Sequence, residues 1–272
     1  MTGVQTCALP ISTAQTTPGG EFAASELARF GSSLAVSPSQ VFVGESNTQI
    51  RPGAVYVYEK QGAAWVQVQE LNAPDAEWGD GFGAAITVTG PTMFVAGGGG
   101  VHVFGRSNGT WSHRNTIAVD APTAMSVEGD YAIIAESGAD RNTGVAHFFR
   151  YDGTEWMNLG PLPAEGLQAN DRFGASVYFS GDRVIVGAPG TNNRAGAAYV
   201  FRMAREGIEQ IAKLEGNARN DMFGTTVMID GEYLISGAPG SGGVGAVYVF
   251  RPNDEGELEN TARYTAYDGQ IA

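Results

Sequence analysis

The amino-acid sequence predicts an all-β fold, a β-propeller of four-stranded antiparallel blades, and three observations lead to this prediction. The 272 residues include 39 glycines and 10% aromatic residues, with many short apolar runs between turn residues. A segment of about fifty residues recurs along the chain. Each copy holds four runs with the period-two alternation of strands. A four-stranded unit cannot bury both faces alone, so neighbours must stack, and stacking around an axis gives a propeller.

A Phe-Gly pair opens most copies of the repeat, and a Gly-Ala-Pro triplet follows it in two of them. The gap between the second and third pairs is nearly double the others. It contains a degenerate copy, with Ala121-Pro122 in place of Phe-Gly. Five copies are therefore predicted. The motif residues, all expected to be structural, are Phe30, Gly31, Phe82, Gly83, Phe173, Gly174, Phe223 and Gly224 of the pairs, and Gly187, Ala188, Pro189, Gly237, Ala238 and Pro239 of the triplets.

The order of strands within a copy predicts where each blade begins and ends. The Phe-Gly pair precedes a short strand and a tight turn, and the second strand ends in small residues. The third strand reads like "GAVYVF" and the fourth often opens with tryptophan. The propeller is predicted over 21–272, with blades at about 21–80, 81–120, 121–170, 171–220 and 221–272.

The first residues of the chain do not belong to the repeat. Met1 to Ser12, "MTGVQTCALPIS", resembles the translation of a common sequencing adapter, so we leave it out of the fold prediction. Residues 1–20 are expected to lack regular structure. The only cysteine, Cys7, lies in this segment, so no disulfide or thiolate site is expected in the repeats.

The Phe-Gly and Gly-Ala-Pro motifs resemble the FG-GAP repeat family, which includes the integrin α-subunit propeller and many bacterial surface proteins. The resemblance covers about Phe22 to Ala272. It implies an extracellular, cell-surface or periplasmic interaction module that binds a protein or glycan. The integrin-like branch carries an acidic calcium loop between the first two strands, whereas turns here, such as 180–182, are too short to supply six oxygens. The chain resembles the calcium-free bacterial branch, and we expect no metal, no cofactor and no effect of a chelator on folding.

Composition and motifs argue against several other functions. A net charge of −13 opposes binding to nucleic acid or anionic lipid, and no apolar run is long enough to span a membrane. No nucleophile elbow or paired-histidine metal motif is present. The sequence shows no polar cluster unique to one blade, so catalysis is not expected. The alternative is a propeller enzyme acting on a polysaccharide or small molecule at the central channel.

Candidate binding residues lie in the variable segments of the chain. Loops between strands two and three share one face of a propeller with the links between blades, and function concentrates in such loops. Five aromatic or charged residues there are predicted to bind a partner: Arg51, Trp78, Asp140, Arg141 and Arg194. Asp80, Asn170-Asp171 and Asn220-Asp221 could hold a cation, but we expect them to cap turn amides.

The ends of the chain lead to a last expectation. Adapter-like sequence stands in place of whatever preceded the repeats, and the chain stops where another Phe-Gly pair is due. We therefore expect an open or imperfectly closed arc of five blades. Such an arc leaves apolar blade surface in water, at roughly 25 cal/mol per Å², so we also expect self-association.

Overall fold

The computed structural model describes residues 29–46, 51–204 and 207–265, which form five four-stranded antiparallel sheets. Each sheet consists of four strands that are consecutive in the chain, so each sheet is one blade. The prediction for residues 1–20 lies outside the described residues. The five predicted copies each correspond to one sheet, including the degenerate copy around Ala121-Pro122, which forms blade 3.

The strands have the following bounds. Blade 1 holds β1 (Arg29–Val36), β2 (Gln40–Ser46), β3 (Ala54–Gln61) and β4 (Ala64–Leu71); blade 2 holds β5 (Ile86–Thr89), β6 (Thr92–Gly97), β7 (Gly100–Ser107) and β8 (Thr110–Ile117). Blade 3 holds β9 (Ala124–Glu128), β10 (Tyr131–Glu136), β11 (Val145–Tyr151) and β12 (Trp156–Pro161). Blade 4 holds β13 (Ser176–Ser180), β14 (Arg183–Ala188), β15 (Ala197–Ala204) and β16 (Gly207–Glu215); blade 5 holds β17 (Thr226–Asp230), β18 (Tyr233–Ala238), β19 (Ala246–Pro252) and β20 (Leu258–Tyr264).

Burial within each blade follows the sequence pattern. The second strand β14 is an apolar run that is almost entirely buried, whereas the fourth strand β16 alternates between exposed and half-buried residues. A strand that is covered on both faces is a continuous apolar run, and a strand with one face in solvent alternates between apolar and polar residues. All five blades also carry a register shift at the same place between their third and fourth strands. The five sheets are thus copies of one geometry.

Hydrophobic cores fill the spaces between successive blades. Phe82 lies in the core between blades 1 and 2, Phe173 between blades 3 and 4, and Phe223 between blades 4 and 5. Blade 3 has no Phe-Gly pair, and Phe94, Met125 and Phe149 fill its core with blade 2. The phenylalanine of the motif therefore packs between blades at these three joints, whereas the side chain of Phe30 is 56% exposed.

The motif glycines make the joint between one blade and the next. A Cβ on Gly44 would overlap the carbonyl oxygen of Gly83, and a Cβ on Gly187 would overlap that of Gly224. The Oγ of Ser176 donates a hydrogen bond of 2.9 Å to that same Gly224 carbonyl. The first strands of successive blades also pack on each other, so they lie innermost in the array. The Gly of one motif is therefore required because the Phe-Gly backbone of the next blade approaches closely.

At the two ends of the array, the residues that form a joint elsewhere have no neighbouring blade against them. Around Gly31 nothing lies within 4 Å of a built Cβ, and Phe30 is 56% exposed. On the first strand, Leu34 and Val36 are also exposed. At the other end, a Cβ on Gly237 would meet only Thr226 of its own blade. Within the described residues, blades 1 and 5 each have a face that no neighbouring blade covers, which agrees with an incompletely closed ring.

Candidate binding face

The loops between second and third strands and the links between blades are bonded into one surface. The amide of Phe173, in the link to blade 4, donates to the carbonyl of Thr143 in the blade 3 loop at 2.9 Å. One blade further, the amide of Phe223 donates to the carbonyl of Ala195 at 3.0 Å. We call this surface the link-and-loop face; it comprises residues 51–53, 78–82, 138–144, 168–173, 189–196, 218–223 and 239–245, and it includes Trp78 because Pro52 in the loop of blade 1 bridges Trp78 in the link to blade 2.

The loops of blades 3 and 4 on this face have an unusual backbone. Asp140, Arg141 and Asn142 have φ values of 42°, 57° and 61°, and residues 192–194 repeat the pattern at 51°, 58° and 66°. Each loop makes one left-handed turn, closed in blade 4 by the Gly196 amide donating to Thr191 at 2.9 Å. Asparagine and aspartate tolerate this conformation, but for arginine it is strained. The loops of the two blades therefore share one defined backbone conformation.

A cavity of about 960 Å³ opens on this face between blades 4 and 5. The link before blade 4, the blade 4 loop and the link before blade 5 each form part of its wall. Arginines and asparagines dominate the polar part of the lining, and no aromatic residue belongs to it. Such a volume falls within the range of small-molecule sites in proteins.

Three arginines in this cavity have no acidic partner. Arg172, Arg194 and Arg219 line it and are exposed, and no carboxylate of the described residues lies within salt-bridge distance of them. Within the described residues, the Nη2 of Arg194 donates a hydrogen bond to the Sδ of Met222, at 3.1 Å. On the far side of the blades, by contrast, Arg202 pairs with Glu209 at 2.6 Å. In a chain of net charge −13, this is a local concentration of uncompensated positive charge.

The carboxylates of the links cap backbone amides, as expected. The Oδ2 of Asp171 accepts from the Gln168 amide at 2.9 Å, and the Oδ2 of Asp221 accepts from the Ala218 amide at 3.1 Å. The Oδ1 of Asp80 accepts from the amides of Gly53 and Phe82, both at 3.0 Å. Within the described residues, no group of three or more His, Cys, Asp or Glu side chains is arranged to hold a metal.

A second, smaller cavity lies on the corresponding surface of blades 1 to 3. Its volume is about 420 Å³, and its charged lining residues are Asp80 and Asp120. The loop of blade 2 is the short run Gly97 to Gly100, which has no side chains to present. The two cavities therefore differ in charge as well as size.

The structure separates the five predicted binding residues. Trp78 is 72% exposed and forms an isolated bridge with Pro52, while Asp140 and Arg141 are exposed on the blade 3 loop, 3.6 Å apart between Oδ1 and Nε. Of the five, only Arg194 lines the large cavity. Sequence reasoning missed Arg172 and Arg219. A signal was present, because Arg172 stands directly before Phe-Gly, where blade 2 has a glycine.

Arg51 takes part in a buried polar cluster, which corrects the expectation that no blade has such a cluster. Its guanidinium bonds both oxygens of Glu45, whose side chain is only 2% exposed. The Tyr56 hydroxyl donates to the same carboxylate at 2.7 Å. Burial, and next this bond, raise the pKa of Tyr56. The cluster was missed because Glu45 and Tyr56 lie on different strands and pair only through the sheet register. Arg51 is thus engaged with Glu45, in addition to facing solvent.

The chain was compared with curated proteins, with solved structures and with models of protein families. The sequence matches none of the curated proteins with which it was compared. No helix in the described part of the chain is long and apolar enough to cross a membrane.

A solved structure is similar in fold: a Bacteroides uniformis protein provisionally assigned as a 6-phosphogluconolactonase, with 16% identity and a TM-score of 0.62 over 85% of this chain and 70% of that one. At this identity the likeness concerns the fold alone, which is propeller-like. The family model described as FG-GAP repeat matches residues 156–201 and 209–250, which span most of blades 4 and 5. These matches, together with the repeated joint geometry, show FG-GAP repeats in blades 4 and 5 of a propeller-like array of five four-stranded sheets.

Proposed function

We propose that the chain is a non-catalytic interaction module of a secreted or cell-surface protein, and that it binds a protein or glycan through the link-and-loop face. The observation that carries this proposal is the cavity between blades 4 and 5, where three arginines have no acidic partner. Unpaired guanidinium groups on rigid loops are available to a ligand, whereas paired ones are already satisfied. FG-GAP repeats are typical of extracellular and surface proteins, which supports the proposed location.

The alternative is a propeller enzyme acting on a polysaccharide or small molecule. Charged residues from neighbouring blades line the large cavity, and this favours the alternative. Its single carboxylate, however, is Asp171, which caps the Gln168 amide, and no histidine lines the cavity. A general acid or base must reach the proton that it transfers. We therefore propose binding rather than turnover.

An array of defined glycans and extracellular proteins tests the proposal. The face variant combines Trp78→Ala, Arg141→Asn and Arg194→Asn, because asparagine adopts the left-handed conformation at the two loop positions. Arg51 is left intact, since its loss would deprive the buried Glu45 of a partner. A control variant combines Arg202→Ala and Arg251→Ala. Both arginines lie near the C-terminal ends of third strands, away from the loops that precede those strands.

We expect the native chain to bind at least one array component, the face variant to lose that signal, and the control variant to keep it. Loss of signal in the control but not in the face variant would place binding elsewhere. Absence of binding to every component would contradict the proposed function, as would conversion of a bound glycan to products.

A further inference from the structure

The large cavity collects most of the strained backbone of the protein. Among the described residues, eleven other than glycine have positive φ, and seven of these line this one cavity. They include two arginines, Arg172 at φ 57° and Arg194 at φ 66°. Holding such a residue in the left-handed region costs roughly 1 to 2 kcal/mol. Strain of this kind persists where the surrounding structure imposes it, and it concentrates at ligand sites.

The other blades show that this conformation does not require the side chains found in blade 4. Blade 2 has glycine at both link positions, Gly79 at φ 74° and Gly81 at φ 68°, where blade 4 has Asn170 and Arg172. The fold is satisfied by glycine there, at no steric cost. An arginine in its place adds strain, and within the described residues its guanidinium makes no hydrogen bond or ion pair that would stabilise the fold. The guanidinium is therefore best explained by what it presents to the cavity.

The same substitution pattern recurs in the loops. Blade 5 places Gly242 and Gly243 at φ 61° and 75°, where blade 4 has Asn192 and Asn193, and only blade 4 continues with a left-handed arginine at this cavity. The turn that carries Arg194 is held at both ends. Its amide donates to Gly190 at 3.0 Å, and its carbonyl accepts from Met222 at 2.9 Å. Arg194 is thus attached to the wall formed by the next link, and its position depends little on loop motion.

The donor set indicates the chemistry of the ligand. Arg172, Arg194 and Arg219 offer planar guanidinium forks that match carboxylates, and the one acid in the lining, Asp171, caps the Gln168 amide instead of pairing with them. The asparagines beside them offer amide groups that both donate and accept, which suits hydroxyl groups. The cavity has no aromatic residue, and its apolar lining consists of alanine, proline and methionine, so the aromatic anchors typical of a protein interface are missing. A ligand that carries both carboxylates and hydroxyl groups, as these side chains require, is an acidic sugar.

We propose that the cavity between blades 4 and 5 binds an oligosaccharide whose sugar rings carry carboxylate groups. This inference rests on the proposed function, because it names the ligand class of the same face. The guanidinium groups would take the carboxylates, and the asparagines would take the ring hydroxyls. Binding of this kind weakens as ionic strength rises, because the arginines are exposed.

Isothermal titration with two matched sugars tests the proposal. The probes are a β-1,4-linked mannuronate hexamer and the β-1,4-linked mannose hexamer, which differ in the carboxylate on each ring. Hexaglutamate is the third probe and supplies carboxylates without sugar rings. We expect the mannuronate hexamer to bind at least tenfold more tightly than either of the other two. This comparison uses the unaltered chain, so it does not depend on how any variant folds.

Variants then locate the site. Arg172→Gly and Arg194→Gly place a residue that adopts positive φ without strain, so we expect both to fold at least as well as the native chain. Combined with Arg219→Ala, they are expected to weaken mannuronate binding at least tenfold. Arg202→Ala, whose guanidinium pairs with Glu209, is expected to change binding less than twofold.

Equal binding of the two sugars, equal or tighter binding of hexaglutamate, no binding of the mannuronate hexamer, or full binding by the triple variant would each overturn the proposal. A chain that binds other array components through the link-and-loop face but not the mannuronate hexamer would retain the proposed function and lose only this inference.

Discussion

The joint between blades 4 and 5 and the uncovered end of blade 5 contain the same Gly-Ala-Pro triplet in different surroundings. At the joint, Gly187 lies against the carbonyl of Gly224 in the next blade. At the end of the array, the equivalent Gly237 meets only its own strand partner Thr226. The difference shows that the neighbouring blade adds a backbone contact to the glycine, where its own blade presents only a side-chain hydroxyl.

The largest effect is expected from removing the motif phenylalanine. Phe223 is 1% exposed and lies in the core between blades 4 and 5, beside Tyr248 and Phe250. We expect Phe223→Ala to lower the free energy of unfolding by about 3 to 5 kcal/mol, because it leaves a cavity. The matched change Phe30→Ala, at the uncovered face of blade 1, is expected to cost less than about 1 kcal/mol. Urea unfolding followed by far-ultraviolet circular dichroism measures both, and equal losses would contradict the comparison.

A smaller effect is expected from adding a methyl group to the triplet glycine. Gly187→Ala places a Cβ against backbone of the next blade, which cannot move aside cheaply, so we expect a loss of about 1 to 3 kcal/mol. Gly237→Ala meets the Thr226 hydroxyl of its own blade, and we expect the smaller loss. The melting temperatures of the two variants give the ranking, and the comparison is wrong if Gly237→Ala is the more damaging.

The Ser176 hydroxyl, which bridges the joint between blades 4 and 5, should contribute less to the free energy of unfolding than the triplet glycine does. Ser176→Ala removes the 2.9 Å bond to the Gly224 carbonyl, and a lost bond of this kind costs about 1 kcal/mol. Thr226 occupies the same place in blade 5 and is exposed, so Thr226→Ala is expected to change stability by less than about 0.5 kcal/mol. The same urea titrations measure this pair. A Thr226 variant as unstable as the Ser176 variant would show that the bridge adds nothing.

The smallest effect is expected from a chelator. It tests whether a bound metal ion, in addition to packing, contributes to the stability of the joints between blades. The turns between first and second strands are two residues long in blade 4, where Ser180 pairs directly with Arg183. Such a turn cannot supply the six or more oxygens that calcium takes. We expect EDTA to leave the melting temperature of the native chain unchanged within error, with added calcium as the reverse control. A fall that calcium restores would reveal a structural ion.

Most of the fold could be predicted from the sequence, but only part of the candidate site could. Strands such as β14 and β16 follow from local alternation, and the Phe-Gly and Gly-Ala-Pro markers identify each blade by its own residues. Arg194 was identified because it stands in a loop of variable length. Arg172 and Arg219 were not, although Arg172 stands where blade 2 has a glycine, because nothing local shows that the links that carry them share a cavity with Arg194.

The sequence by itself determined the repeat, the strands and the kind of joint, because period-two burial and close glycine contacts depend on residues within one blade or its neighbour. Only the tertiary structure decided which charges meet. Sheet register brought Arg51 and Tyr56 to Glu45, and the stacking of two blades brought three arginines around one cavity. Electrostatic environment depends on distances of a few ångströms between segments far apart in the chain, and a sequence pattern does not contain those distances.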